Sequence, residues 1–391
     1  MKRLLTLLLT TLGVVALSPV RAQQLTTDDH LTDFDFALRQ VEANYAGFPS
    51  KMEAGNRAEY QLLKTRLAEE VAAHGRAGYD AAGELFAWFG DRNLCTTLSS
   101  MTKYQRPQSA YASAKFAPQN TATQVDGKTY LIRVVSFDEG EELRSWIEAA
   151  AACCGTCENI IVDLRFNDGT CNAAYEPLLR AVYDRPGSVT GGEIRVSEDN
   201  LASVRAEAEA QGDIWSRELV QRMESATTEF VPMSDTRVVP IVFDEMPAVH
   251  RRVAILVSGV TAAAAEQFIL DARACNSRTT VYGAEPTAGC VDFQRVREVD
   301  MPRSGVTCRV PMARSYRVAE GKGLNDGGIV PDATVDLPLP AVVGDRADEW
   351  VCWVANDLAS DGALSAAVAK AAEKAAAKSA AKAAKKSKRN Q

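Results

Sequence analysis

Histidine is scarce in this chain: His30, His74 and His250 are the only three among 391 residues. None lies near the thiol-rich stretch Cys153-Cys154-Gly155-Thr156-Cys157, so that stretch lacks the fourth ligand a zinc site needs. No metal or cofactor is expected. Long hydrophobic runs are equally few. After the first two dozen residues no second one appears, which leaves no candidate for a membrane-spanning helix in the rest of the sequence. No internal repeat stands out.

What is present begins with an address. Met1-Lys2-Arg3 is a basic start, Leu4–Ser18 an apolar core, and Val20-Arg21-Ala22 a stretch ending in a small residue before Gln23. That pattern is a secretory signal over residues 1–22. No cysteine sits at the cleavage point, which argues against a lipoprotein. The mature protein is expected to be soluble and exported, periplasmic or extracellular. A hydrophobic share of 46% and a charged share of 24% fit an ordinary soluble protein.

Nine cysteines are many for an exported chain, and the odd count leaves at least one thiol free or paired with a partner. A structural role, as disulfides or buried thiols, is the expectation for the 153–157 stretch. Charge is segregated. From Asp361 onward the chain carries a net +6, which leaves −13 on the rest of a molecule whose total is −7. In the tail Lys370, Lys374, Lys378, Lys382 and Lys386 recur at four-residue spacing, one drifting stripe of an Ala/Lys-rich helix. That stripe could meet an anionic envelope surface. No specific nucleic acid is expected as a partner.

Taken in order, residues 23–110 read as a small helical N-terminal domain. Leu31–Tyr45, Ala58–Ala73 and Tyr79–Phe89 carry apolar residues at helical spacing. Residues 101–120 read as a polar loop. From 111 to 345 strands alternate with helices, the signature of a mostly parallel sheet with covered faces. Its strands are Tyr130–Val135, Asn159–Arg165, Arg252–Val257 and Thr279–Tyr282, with a hairpin over Val291–Val310. Residues 185–250 interrupt this as an inserted polar, helical cap. Residues 346–391 form a C-terminal helix and the tail.

The chain is organised around Arg252–Cys275. A β-branched strand breaks at Ser258-Gly259, Thr261 is placed to cap the next helix, and that helix runs through Ala274. A tight strand-to-helix turn points backbone N–H groups at whatever lies opposite, which is where a hydrolase places its nucleophile. Ala263 stands there.

Five segments, in order, resemble the tail-specific or C-terminal-processing serine peptidases of the crotonase/Clp-like superfamily. They are Tyr130–Phe137, Asp163-Leu-Arg-Phe-Asn-Asp-Gly169, Thr261-Ala-Ala-Ala-Ala-Glu266, Gly283–Gly289 and Gly328-Ile-Val-Pro-Asp332. The resemblance covers about residues 128–335. With Asn44-Tyr-Ala-Gly-Phe48 ahead of it, the chain looks like members that lack a PDZ domain. It implies an α/β fold with a spiral core of mostly parallel sheet, flanking helices and a helical lead-in.

Carried over residue by residue, the resemblance puts Ala263 at the serine nucleophile. Asn93 falls at the histidine of an Asp-x-His base, and Cys290 at the alternative lysine base. Alanine cannot attack a carbonyl, and an asparagine amide cannot take a proton near neutral pH. The N–H groups of Gly169 and Ala264 would form the oxyanion hole, with Asp168 and Gly289 beside them in the peptide-binding rim. The assisting acid would be Asn325 or Asp326. Substitutes for the missing nucleophile and base are Ser258, Thr261 and His250. Glu266 and Glu285 could pass for a carboxylate pair, though Glu266 belongs to the helix motif as a structural hydrogen-bonding residue.

The leading expectation is an exported, catalytically inactive homologue that binds extended peptides or protein C-termini. The alternatives are an active serine-type peptidase with rewired residues, and an envelope structural protein using its Lys-rich tail.

Overall fold

The structure is a computed structural model that describes residues 25–98, 116–247, 249 and 251–389. The expected signal peptide, most of the expected polar loop and His250 lie outside these residues. Helix α1, Thr27–Arg39, starts with a reciprocal capping box. The Thr26 N–H donates to the Asp29 carboxylate at 3.0 Å, and the Asp29 N–H donates to the Thr26 hydroxyl at 3.2 Å. Helix α2, Arg57–His74, stops at Gly75 in the left-handed region (φ 66°). Helix α3 is Gly78–Trp88. The second and third agree with the periodicity of the sequence to within one residue, whereas α1 starts four residues before the expected Leu31 and passes into a π-helical turn, Gln40–Asn44, before the expected end at Tyr45.

These helices do not form a domain of their own, which corrects the expectation for residues 23–110. Phe34, Leu38, Leu67, Leu85 and Phe86 share one core with Phe293, Met301, Val306 and Val310, more than 200 residues further along. Short amphipathic helices cannot bury enough apolar surface alone. The missing wall is a hairpin that helical spacing cannot announce.

Strand β1 is the short Cys95–Thr96. The central sheet begins with β2, Thr121–Gln124, β3, Thr129–Arg133, helix α4, Glu141–Ala152, and β4, Asn159–Asp163. Helix α5 is Glu176–Val182. The region 185–250 holds strands β5, Gly187–Thr190, and β6, Gly192–Arg195, then helices α6, Glu198–Gln211, and α7, Ile214–Glu224. Strands β7, Phe230–Pro232, and β8, Val238–Ile241, close it. There follow β9, Arg252–Leu256, helix α8, Ala264–Cys275, β10, Thr279–Gly283, the hairpin β11, Phe293–Asp300, and β12, Thr307–Ser315. Strand β13, Ala333–Thr334, helix α9, Glu349–Ala359, and helix α10, Ala363–Arg389, complete the order.

Six strands line up as β13-β10-β9-β4-β3-β2, every pair parallel except β2 with β3. Alternate residues serve opposite faces. Ile160, Val162, Val253 and Ile255 pack with Phe268 and Ile269 of α8, whereas Leu131, Ile161, Ala254 and Leu256 meet Trp350, Val351 and Val354 of α9. Both faces are covered, so the strands read as unbroken apolar runs.

Strand β4 ends two residues before the expected Arg165 because its terminal charges turn inward. Asp163 accepts from Arg133 Nε at 2.6 Å and Arg165 Nη2 at 2.7 Å. Asp348, at the head of α9, accepts from the same two guanidinium groups at 3.0 and 2.5 Å. All four side chains are buried, and the network pins α9 under the sheet.

The expected cap over 185–250 is not a separate cover. Its helices are present, but β6 and β7 join β12 and β1 in a second sheet, with β11 on the other side of β12. Strands of three or four residues are too short to show alternation in sequence.

Candidate active site

The turn after β9 is built from hydroxyls that are already engaged. Ser258 Oγ donates to the Arg165 carbonyl at 2.6 Å and accepts from the Val260 N–H. Thr261 Oγ1 donates to the Leu164 carbonyl at 2.7 Å and accepts from the Ser258 N–H. Both are fully buried. Thr261 is therefore a clamp between two strand ends and not the expected cap of α8. The capping position belongs to Ala263, whose backbone stands at φ 49° and ψ −111°. A Cβ makes that region costly, roughly 1–2 kcal/mol, and such strain clusters at functional turns.

Glu266 holds the turn in place. Its buried carboxylate accepts from the N–H groups of Ala263 (3.2 Å), Gly289 (2.7 Å) and Cys290 (2.6 Å), and from the Thr287 hydroxyl. Burial raises its pKa, and the four donors oppose that shift. Glu285 is elsewhere engaged, accepting from the Gly259 N–H at 2.9 Å. The two glutamates bind different backbone groups, as struts.

Ala263, Cys290 and Asn93 do converge. Ala263 packs on the small apolar cluster of Ala262, Ala288 and Cys290. The Asn93 amide donates to the carbonyls of Cys290 (3.0 Å) and Phe293 (2.8 Å). This amide fastens the end of the N-terminal helices to the start of β11. Gly289 has φ 76°, and a side chain there would strike the Asn325 carbonyl at 2.7 Å.

Gly169 is needed for a close approach, since a Cβ would fall 2.2 Å from the Phe137 nitrogen. Its N–H donates to Asn167 Oδ1 at 3.2 Å, and its carbonyl accepts the Ala264 N–H at 3.0 Å. The expected oxyanion-hole donors are thus adjacent but both engaged within the chain, which corrects the expectation of an open hole. Backbone orientation at a turn is set by such contacts and is invisible in sequence. Asp168 is exposed beside them, its pKa raised by partial desolvation.

A buried polar network that the sequence did not announce lies behind Asn93. Asp91 is fully buried and accepts from the Asn93 N–H at 2.9 Å, with the Tyr45 hydroxyl also hydrogen-bonded to it. Burial pushes the Asp91 carboxyl up to about 7. Asn325 connects Asp91 to Asp292, which in turn accepts from Arg317 Nε at 3.0 Å. Of the two residues expected as the assisting acid, buried Asn325 is in this network and Asp326 is exposed. The available signal was the Asp91-Arg-Asn93 pattern itself; Asp292 carries none.

A cleft of about 280 Å³ opens alongside α8. Gln267 and Asp271 line it and follow Ala263 at four-residue spacing, so one stripe of the helix runs from the turn into the cleft. Tyr175, Val189, Trp215 and Val239 form apolar walls. Asp271 accepts from the Tyr175 hydroxyl and the Gln267 amide, both at 2.7 Å, and burial raises its pKa. Among the described residues no group of three or more His, Cys, Asp or Glu side chains could hold a metal ion. Nor is any described helix long and apolar enough to cross a membrane.

Known proteins share this arrangement at the level of fold. Mature CPAF superimposes with a TM-score of 0.56 at 10% identity, over 79% of this chain and 92% of CPAF. A protein from Parabacteroides merdae gives a TM-score of 0.53 at 15% identity, over 81% of this chain and 91% of that one. The photosystem II D1 C-terminal processing protease aligns with a TM-score of 0.43 at 14% identity, over 84% of this chain and 97% of its own. No curated protein sequence matches the chain. The sequence profile of Peptidase family S41 matches residues 128–335, which span the five parallel strands of the central sheet, the elbow at Ala263 and the Glu266 latch. The chain belongs to Peptidase family S41.

Proposed function

We propose that this protein is an exported, non-catalytic member of its peptidase family that binds extended polypeptide or protein C-termini in the cleft lined by Gln267 and Asp271, one helical turn along α8 from Ala263. The observation that carries this reading is the elbow itself. Ala263 stands in a conformation costly for alanine and packs on buried Cys290, whose carbonyl accepts from Asn93; the elbow itself carries no nucleophile, and neither Asn93 nor Cys290 is a histidine or lysine base. Removing a serine nucleophile alone costs on the order of a million-fold in rate. The apolar walls of the cleft suit side chains of a bound peptide, and Gln267 offers amide hydrogen bonds.

The competing reading is an active peptidase with rewired residues. Ser258 and Thr261 do not favour it, because both hydroxyls are buried and donate to strand carbonyls. The experiment is a digestion of a complex peptide mixture by protein beginning at Gln23, read by mass spectrometry, with peptide binding followed in parallel. The expected result is binding without cleavage, reduced by filling the cleft with Gln267→Trp. Specific cuts abolished by one substitution in the turn would overturn the proposal. A mixture from which nothing is retained would overturn it as well.

A further inference from the structure

At the N-terminal ends of the parallel strands, the opposite end from Ala263, helix α4 runs out into Cys153-Cys154-Gly155-Thr156-Cys157. The Cys157 N–H donates to the Cys154 carbonyl at 2.9 Å, closing a four-residue turn with Gly155 at φ 48°. A turn closed in this way holds its end Cα atoms within about 7 Å. A disulfide needs them roughly 4.4–6.8 Å apart. That bound overlaps the span of a disulfide, so a turn of this kind suits a bridge between Cys154 and Cys157.

The surroundings suit thiol chemistry. Cys154 is buried in the main core, Cys157 is half-buried against the same core, and Cys153 is exposed. The Tyr130 hydroxyl lies within electrostatic reach of all three and hydrogen-bonds Cys153. Arg251 fixes the turn from behind, donating to the Gly155 carbonyl at 2.7 Å and the Ala181 carbonyl at 3.0 Å, and it sets a cation near Cys154. A cleft of about 460 Å³, lined by Ala151, Ala152, Gly155 and Arg251, opens onto the turn.

We propose that Cys154 and Cys157 are a redox-active dithiol that closes to a disulfide within the turn by exchange with a low-molecular-weight disulfide. The more accessible Cys157 thiolate attacks one sulfur of R–S–S–R, forming Cys157–S–S–R and expelling RS⁻. Cys154 then loses its proton and attacks the Cys157 sulfur, and the second RS⁻ leaves. The two protein thiols give up two electrons and two protons, and the external disulfide becomes two thiols. Burial pushes the Cys154 thiol up to about 12, so the reduced pair starts from Cys157. The bridge locks the end of α4 to the start of β4. This inference is independent of peptide binding at the other end of the sheet.

Trypsin provides a direct readout, because the fragment Ser145–Arg165 contains these three cysteines and no other. The full-length mature protein is equilibrated in glutathione buffers from reducing to oxidising, its free thiols are blocked with iodoacetamide, and the fragment is weighed. The expected result is three adducts in reducing buffer and one in oxidising buffer. Cys154→Ser and Cys157→Ser are each expected to leave both remaining thiols blocked in oxidising buffer, and Cys153→Ser to leave none. Three adducts at every potential would overturn the proposal. So would attached glutathione in place of a bridge, or a bridge that persists in Cys157→Ser.

Discussion

The Ala264 N–H donates to the Gly169 carbonyl oxygen across 3.0 Å, joining the helix elbow to the loop after β4. The Ala264 N–H, one of the two donors expected at an oxyanion hole, is thereby spent on the carbonyl of the residue that carries the other. The first helical N–H of α8 satisfies a loop carbonyl and not a developing oxyanion.

Ala263→Gly is expected to stabilise the protein by about 1 kcal/mol. The substitution removes the Cβ from a backbone at φ 49°, and glycine is well tolerated at a helix N-cap. Urea denaturation of the two proteins measures the difference. A glycine variant of lower stability would show that the elbow is not strained.

Glu266→Ala is expected to destabilise the fold by roughly 3 kcal/mol or more. It leaves two buried N–H groups, the partly buried Ala263 N–H and the Thr287 hydroxyl without their shared acceptor. Thermal melts, together with protease sensitivity around residues 287–290, provide the check. A loss below 1 kcal/mol would mean that the latch does not hold the turn.

Asp91 makes stability depend on pH with a definite sign. Its folded carboxyl titrates near 7, above the ordinary 3.8, because burial disfavours the charge. The folded state therefore binds the proton more tightly than the unfolded chain. Stability from this group is fully present below pH 4 and is lost as the pH rises to about 7, by a few kcal/mol. Asp91→Asn mimics the protonated form and is expected to flatten this slope. Denaturation midpoints at pH 5 and pH 8 decide it: equal slopes in both proteins would remove Asp91 as the source.

The central sheet was legible because its strands are buried on both faces and its connections are helices, so local pattern and tertiary role agree. Asn159–Asp163 and Arg252–Leu256 are continuous apolar runs, and α8 follows its strand through a polar turn. That residue 263 is an alanine with no nucleophilic group is likewise a matter of residue type. Thr261 was misread because a threonine before a helix matches a cap locally, while its hydroxyl is claimed by Leu164, 97 residues away.

The amino-acid sequence by itself determined the mostly parallel α/β core, the family and the chemistry available at 93, 263 and 290, since periodicity and side-chain identity are local properties. Only the tertiary structure decided the rest. It completed the core of the N-terminal helices with the β11–β12 hairpin and joined β6 and β7 to β12 in the second sheet. It gave the Asn93 amide to Cys290 and Phe293 and turned the Ala264 N–H toward Gly169. Each of these depends on groups far apart in the chain meeting in a dry interior, where an unmade hydrogen bond is costly and each donor takes the acceptor that packing provides.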